Sequence, residues 1–366
     1  MCRFGIKRII GFTLVILSIL GISACESKNV PKRDIIEKNF TIEFDTVFQN
    51  LAGLDSQELV DYFKKNGKDN YQKNEADEKN TVNLELTDAQ VEYWKKFTQN
   101  KLENKQQEFS DINSRYYVTY SEKYDEINAY YDLRLDSDEV FDFVKSTCMY
   151  CAMYQLFEGV EEYQLNLNVF NVDTEQLVVK NNLKTDNMSY DNAEWKESYT
   201  ISNEEEQKIK SNFSQVEDIQ INSSGVDDIS LIGILVKSTE SDYSYLYIDE
   251  SDIVHIGVTD SEKNSLVQEL QNYLSELERQ FEELGDNYKI SVNENYSEIE
   301  YKFDSKLSKQ NQMNYVVYSE TICALIQELI DNSQKYYIKI NILDSSSGIL
   351  ISSGDSEQGI NWNMGE

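Results

Sequence analysis

Apolar and polar positions alternate with period two, switch to helical spacing and switch back, in the same order at two places along the chain. Val82, Leu84 and Leu86 alternate with Asn83 and Glu85, and Val254, Ile256 and Val258 alternate with His255 and Gly257. Each run reads as a half-buried strand. Thr87 with Gln90, and Thr259 with Glu262, then supply capping boxes, in which hydroxyl and third residue each satisfy a free amide at a helix start. The second of these helices carries Leu266, Leu270, Tyr273, Leu274, Leu277, Phe281 and Leu284 on one stripe and stops at Gly285. Two alternating strands follow, Tyr116/Val118/Tyr120 then Ile127/Ala129/Tyr131/Leu133, matched by Tyr288/Ile290/Val292 then Ile299/Tyr301/Phe303. A helix is expected over 138–157 and 309–332. After it come strands at Tyr163/Leu165/Leu167/Val169 and Tyr336/Ile338/Ile340/Ile342, and a turn at 344–348 into a last short strand.

The two patterns are one pattern repeated. Residues 81–155 align without a gap on 253–327, and 18 of the 75 positions are identical. Among them are Glu122/Glu294, Tyr124/Tyr296, Asp132/Asp304, Cys151/Cys323 and Gln155/Gln327. A period this long means tandem domains and not a solenoid. The order βαββαβ, with an appended strand, is the split-βαβ pattern. The expected fold class is therefore α+β: two duplicated, ferredoxin-like two-layer plaits, each with one antiparallel sheet and two helices on one face. Upstream, 36–40 (IEKNF) echoes 209–213 (IKSNF), which extends the expected match. Before the cores the copies are expected to differ, with a helix over 56–65 in the first and a hairpin of 230–237 and 243–249 in the second.

The first 25 residues differ from everything after them. Arg3, Lys7 and Arg8 precede an apolar run from 9 to 22, then Ile22, Ser23, Ala24 and Cys25. This resembles the lipobox of bacterial lipoproteins, with a branched aliphatic, small residues before the cleavage point and a cysteine after it. The run would make about 21 Å of helix, short of a hydrocarbon core of about 30 Å. The resemblance implies a signal peptide at 1–24, a diacylglyceryl group on Cys25, and a chain held at the outer face of the cell membrane by its lipid anchor. Residues 25–33 then form a short tether, which places the body close to the membrane. The first unit spans 34–183 (core 81–180), an acidic connector 184–206, the second unit 207–353 (core 253–352), and a flexible tail 354–366.

Composition narrows the function. Sixty-six acids against 34 bases give a net charge of −32, which argues against nucleic-acid binding. Losing residues 1–24 removes three positive charges and no acids, leaving about −35. Hydrophobic content of 40% is too high for a disordered acidic chain. A single histidine, His255, rules out histidine-rich zinc and haem sites. It stands at an outward strand position, where a surface role is the plain expectation. Cys148 and Cys151 form a CxxC, but about three turns into a helix and not at its N-terminus, so they read as small core residues without redox chemistry.

Three further features invite a chemical reading. Glu122, Tyr124 and Glu126, and their counterparts Glu294, Tyr296 and Glu298, occupy the hairpin between the second and third strands. Such a turn could present carboxylates to Ca²⁺, but without EF-hand spacing it reads as a polar hairpin tip, and no metal is expected. Tyr117, Tyr130 and Tyr337 fall on the outward parity of their strands, where aromatics among polar groups can stack on sugars or dock peptides. Paired carboxylates would suffice for a glycosidase, but with this many acids such pairs arise by chance. No phosphate-binding, dinucleotide or serine-hydrolase motif is present, and no cofactor is expected. The sequence therefore points to a non-enzymatic binding or scaffold lipoprotein of the cell envelope, with a protein or cell-wall partner. An envelope hydrolase using paired carboxylates, or a solute-capture lipoprotein, are the alternatives.

Overall fold

The computed structural model describes residues 39–135, 137–183, 191–221, 226–240, 242–304, 306–331, 336–356 and 359–360. Cys25, the segment around it and Trp362 lie outside the described residues. The chain begins with β1 (Asn39–Phe44), α1 (Thr46–Ala52), α2 (Ser56–Gly67), β2 (Lys73–Ala76), β3 (Val82–Thr87) and α3 (Asp88–Ile112). It continues through β4 (Tyr117–Tyr120), β5 (Glu126–Tyr131), α4 (Ser137–Phe157), β6 (Asn166–Asn171) and β7 (Leu177–Asn182). Two helices follow, α5 (Asn192–Tyr199) and α6 (Asn203–Asn212). The second half comprises β8 (Glu217–Ile221), α7 (Asp228–Lys237), β9 (Tyr245–Ile248), β10 (Val254–Val258), α8 (Asp260–Glu282), β11 (Lys289–Val292) and β12 (Glu298–Phe303). It ends with α9 (Lys309–Asp331), β13 (Lys339–Asp344), β14 (Leu350–Asp355) and β15 (Gly359–Ile360).

This is a mixed α+β structure whose four small sheets come in pairs: β1-β3-β2 with β4-β5-β6-β7, and β8-β10-β9 with β11-β12-β13-β14-β15. The pairing agrees in register as well as order. Val118 faces Ala129 as Ile290 faces Tyr301, and the parallel pair β5/β6 sets Glu126 against Asn166 as β12/β13 sets Glu298 against Lys339. Both halves carry a bulge at the same place, between Val169 and Phe170 and between Ile342 and Leu343. The capping boxes at Thr87 and Thr259 are formed as the sequence indicates.

The single antiparallel plait is not what forms. A ferredoxin-like sheet would seat the first strand between the third and the fourth. Here β5 and β6 pair directly, in parallel, over six positions, so that seat is closed. β3 instead lies between β1 and β2, antiparallel to both, with neither edge free. β2 gave no apolar alternation to announce it, since Lys73, Glu75 and Ala76 are exposed.

The segments before the cores are also alike, contrary to expectation. Residues 230–237 belong to α7 and not to a hairpin strand, and α7 stands where α2 stands in the first half. Asp55 and Asp227 cap the two helices, accepting from Glu58 N and Ser230 N at 2.8 Å. The run Ile229, Leu231, Ile232, Ile234, Leu235 and Val236 is buried on nearly all sides, so it lacks the one-sided period that marks a surface helix. Of the 36–40 segment echoed at 209–213, residues 36–38 lie outside the described residues, and the rest does not match. Asn39 and Phe40 are in β1, whereas Asn212 and Phe213 end α6.

α3 and α4 cover one face of the second sheet, α8 and α9 one face of the fourth, and the buried apolar side chains of both halves run together in one cluster. The acidic connector helps to join them. α5 buries Trp195 and Tyr199 and contacts β6 and β7 on one side and α7 and β9 on the other. Among the described residues no helix is long and apolar enough to cross a membrane.

Candidate functional site

The hairpin residues are placed by the turn itself. Tyr124 and Tyr296 sit in left-handed backbone, φ 56° and 58°, which is costly for a bulky side chain. In each half a glutamine compensates: Gln155 Nε2 donates to the Tyr124 carbonyl at 2.7 Å, and Gln327 Nε2 to that of Tyr296 at 2.6 Å. Glu126 accepts from Asn168 Nδ2 at 2.9 Å, and Glu298 from Asn341 Nδ2 at 2.8 Å and Lys339 Nζ at 3.0 Å. Glu122 and Glu294 are exposed. The shared tyrosines, glutamines and inner glutamates therefore brace a strained turn. Among the described residues no three acidic, cysteine or histidine side chains gather as a metal site would require.

Of the three outward tyrosines, two meet. Tyr117 lies 4.1 Å from Tyr130, and Tyr130 4.7 Å from Phe170, with rings tilted by only 13° and 11°. The row crosses β4, β5 and β6 on the sheet face away from α3 and α4. Its members cover one another's ring faces, so the centre of the row offers edges, and a sugar needs a free face. Tyr337 is exposed beside β13, on a different sheet.

The strongest assembly of charge was not visible in the sequence. Arg115 Nη1 donates to Asp173 Oδ1 at 2.5 Å and Nη2 to Asp132 Oδ2 at 2.8 Å and Tyr243 Oη at 3.1 Å. Arg134 Nη1 donates to Asp132 Oδ2 at 3.1 Å and its Nε to the Val236 carbonyl at 3.0 Å. Tyr116 Oη donates to Asp132 Oδ1 at 2.5 Å, and Tyr199 and Tyr243 donate to Asp173 Oδ2 at 3.0 and 3.1 Å. Arg115 also stacks over the Tyr243 ring at 4.5 Å. Both aspartates are buried. Burial raises the Asp173 pKa, opposed by Arg115. Burial works against charge on Arg115, but Asp173, Tyr243 and Asp132 outweigh it and push its pKa up. The cluster joins the first half (Arg115, Asp132, Asp173), α5 (Tyr199) and the second half (Val236, Tyr243). Every carboxylate in it is already bound, so its chemistry is that of a clamp.

The second half keeps only the seed of that clamp. Tyr288 Oη donates to Asp304 Oδ1 at 2.6 Å, as Tyr116 does to Asp132, but Asn287 and Lys306 replace the two arginines. Lys306 Nζ stands 4.0 Å from Asp304 with its side chain in solvent.

His255 corrects the surface reading: it is 1% exposed. Its Nδ1 lies 3.1 Å from Asp218 Oδ1 and its Nε2 3.2 Å from Asp249 Oδ2, and the ring stacks on Tyr247 at 4.8 Å. Ile201, Ile209, Tyr245, Tyr247 and Val216 form a small apolar cluster beside it, and Tyr247 Oη donates to Glu206 of α6 at 3.3 Å. Burial alone would depress the imidazole, but the bonds and charge of Asp218 and the bond to Asp249 outweigh it and raise the pKa. Cys148, Cys151 and Cys323 are free and buried, and burial pushes all three thiols well up, which makes them unreactive.

Trp195 and Tyr199, one helical turn apart, and the Asp191–Glu194 capping box before them mark α5 in the sequence, though not the charges it meets. Comparison with protein-family models, with curated proteins and with solved structures found no match.

Proposed function

We propose that this chain is a protein lipid-anchored at the outer face of the cell membrane, a non-enzymatic binding or scaffold lipoprotein whose body is one unit built twice by duplication. The lipobox-like Ile22-Ser23-Ala24-Cys25 supports the anchor. The matching registers and bulges support the duplication. The observation that carries the scaffold reading is the Arg115 clamp: duplicated units fastened by buried charge present their surfaces in fixed relation. A fixed pair suits a partner engaged at two points, because the second contact is then made at high effective concentration. The residues common to both halves also favour binding over turnover, because they cap helices, brace turns and pack the core.

Labelled fatty acid should enter the wild type in cells and not Cys25→Ala, and equal labelling would remove the anchor. Crosslinking in intact cells should then recover a protein or cell-wall partner. If turnover of an envelope glycan were abolished by one Glu or Asp substitution, the non-enzymatic reading would be wrong.

A further inference from the structure

One groove, of about 460 Å³, lies where edge strand β1 meets the ends of two helices. Its apolar surface comes from Phe40 and Ile42 on β1, Val91 near the start of α3, Leu156 and Phe157 at the end of α4, and Val160 just beyond. The volume is that of an ordinary ligand site. Its rim is acidic: Glu43, Asp88, Glu92, Glu158 and Glu161. Lys95 pairs with two of them, Glu92 at 2.9 Å and Glu158 at 2.7 Å, so a surplus of negative charge remains.

The second half provides an internal contrast. Opposite Val258, where Phe40 lies opposite Leu86, stands Glu217, and the residue matching Val91 is Lys263. These two form an ion pair at 3.1 Å, which puts charge where the first half has apolar surface. Among the described residues the groove thus belongs to the first half, and two side chains distinguish its apolar wall from a charged one.

We propose that this groove binds an extended peptide segment in which apolar residues alternate with lysine or arginine, laid along β1 as an added strand. An edge strand is a template for main-chain pairing, alternate side chains would enter the apolar floor, and the others would meet the acidic rim. Positive flanks are favoured by charge complementarity, and the attraction should weaken with salt.

The test uses the mature full-length chain and a fluorescent seven-residue peptide alternating lysine with leucine, followed by anisotropy at moderate salt. Val91→Lys, which copies the second half, and Val160→Lys, at an exposed position that should not disturb folding, should each weaken binding about tenfold or more. Ser265→Lys adds the same charge on exposed α8 and should change binding less than about twofold. Methylating alternate peptide amides should also weaken it about tenfold. The proposal falls if the lysine peptide does not bind, or if a glutamate–leucine peptide binds as well. It falls equally if Ser265→Lys acts as strongly as the groove variants, which would mean diffuse charge attraction. If the methylated peptide binds undiminished and a simple alkylamine displaces it, the occupant is a small amphiphile and not a strand.

Discussion

Replacing Asp132 by alanine removes the carboxylate on which Arg115, Arg134 and Tyr116 converge, and the same change at Asp304 removes its counterpart in an open setting. Asp132 accepts at 2.5 to 3.1 Å from Tyr116 Oη, Arg115 Nη2, Arg134 Nη1 and the Arg134 amide. It is fully buried. Without it Arg115 keeps Asp173, and Arg134 loses the carboxylate that both its guanidinium and its amide bond. Each lost pair is worth about 4 kcal/mol at an effective dielectric near 20, but desolvation offsets much of that. Breaking a buried ion pair from one side costs about 3–5 kcal/mol, which is the expected loss for Asp132→Ala. Asp304 has the matching tyrosine bond and the matching amide bond from Lys306, but water can replace both partners. Asp304→Ala should therefore shift the unfolding midpoint far less. Urea unfolding followed by far-ultraviolet circular dichroism and by tryptophan emission measures both variants on one scale, Trp195 reporting from within 5.5 Å of Tyr131 at the seam. Equal shifts for the two variants, or a loss below about 1 kcal/mol for Asp132→Ala, would mean that the cluster holds nothing together.

Further outcomes follow from other buried groups. His255→Asn, which installs the residue found at Asn83, should cost stability at low pH and progressively less as pH rises. A raised pKa contributes fully below the ordinary histidine value, about 6.5, and is lost as pH climbs through the folded value; a cost in melting temperature that grows with pH would contradict this. Burial pushes Glu320 up to about 7, so the folded chain keeps a proton that the unfolded chain releases at lower pH, and stability falls between those values. Glu320→Gln should therefore gain up to about 3 kcal/mol at pH 8 and nothing near pH 4, and a gain independent of pH would refute the assignment. Ellman's reagent should leave Cys148, Cys151 and Cys323 unmodified in the native chain and react after unfolding; rapid native reaction would restore a redox reading of the CxxC.

Local order was legible in the sequence and partnership was not. The period switches and the Thr87 and Thr259 caps located β3, α3, β5, α4 and their counterparts, because each signal is written within a few residues. Which strand pairs with which depends on contacts that sequence spacing does not carry. β3 gained β1 and the polar β2 as neighbours, and β5 was left to pair with β6. α7 hid because a helix buried on nearly all sides has no polar stripe. His255 was assigned to the surface by strand parity, which is blind to α6 returning across that face. The clamp was hidden for the same reason: Arg115 and Asp173 are 58 positions apart, and Tyr243 lies further on. Tyr117 and Tyr337 are exposed and Tyr130 half-buried, but strand parity carries no sign that Tyr117 and Tyr130 stack on each other.

The account depends on the two matching halves moving as one body, fastened at the seam around Arg115. Spin labels on cysteines introduced at exposed Asn104 in α3 and Ser265 in α8, with the three buried thiols left untouched, measure this by double electron–electron resonance. One narrow distance distribution in the wild type, broadened by Asp132→Ala, is the expected result. A broad distribution in the wild type would show the halves moving independently and would contradict it.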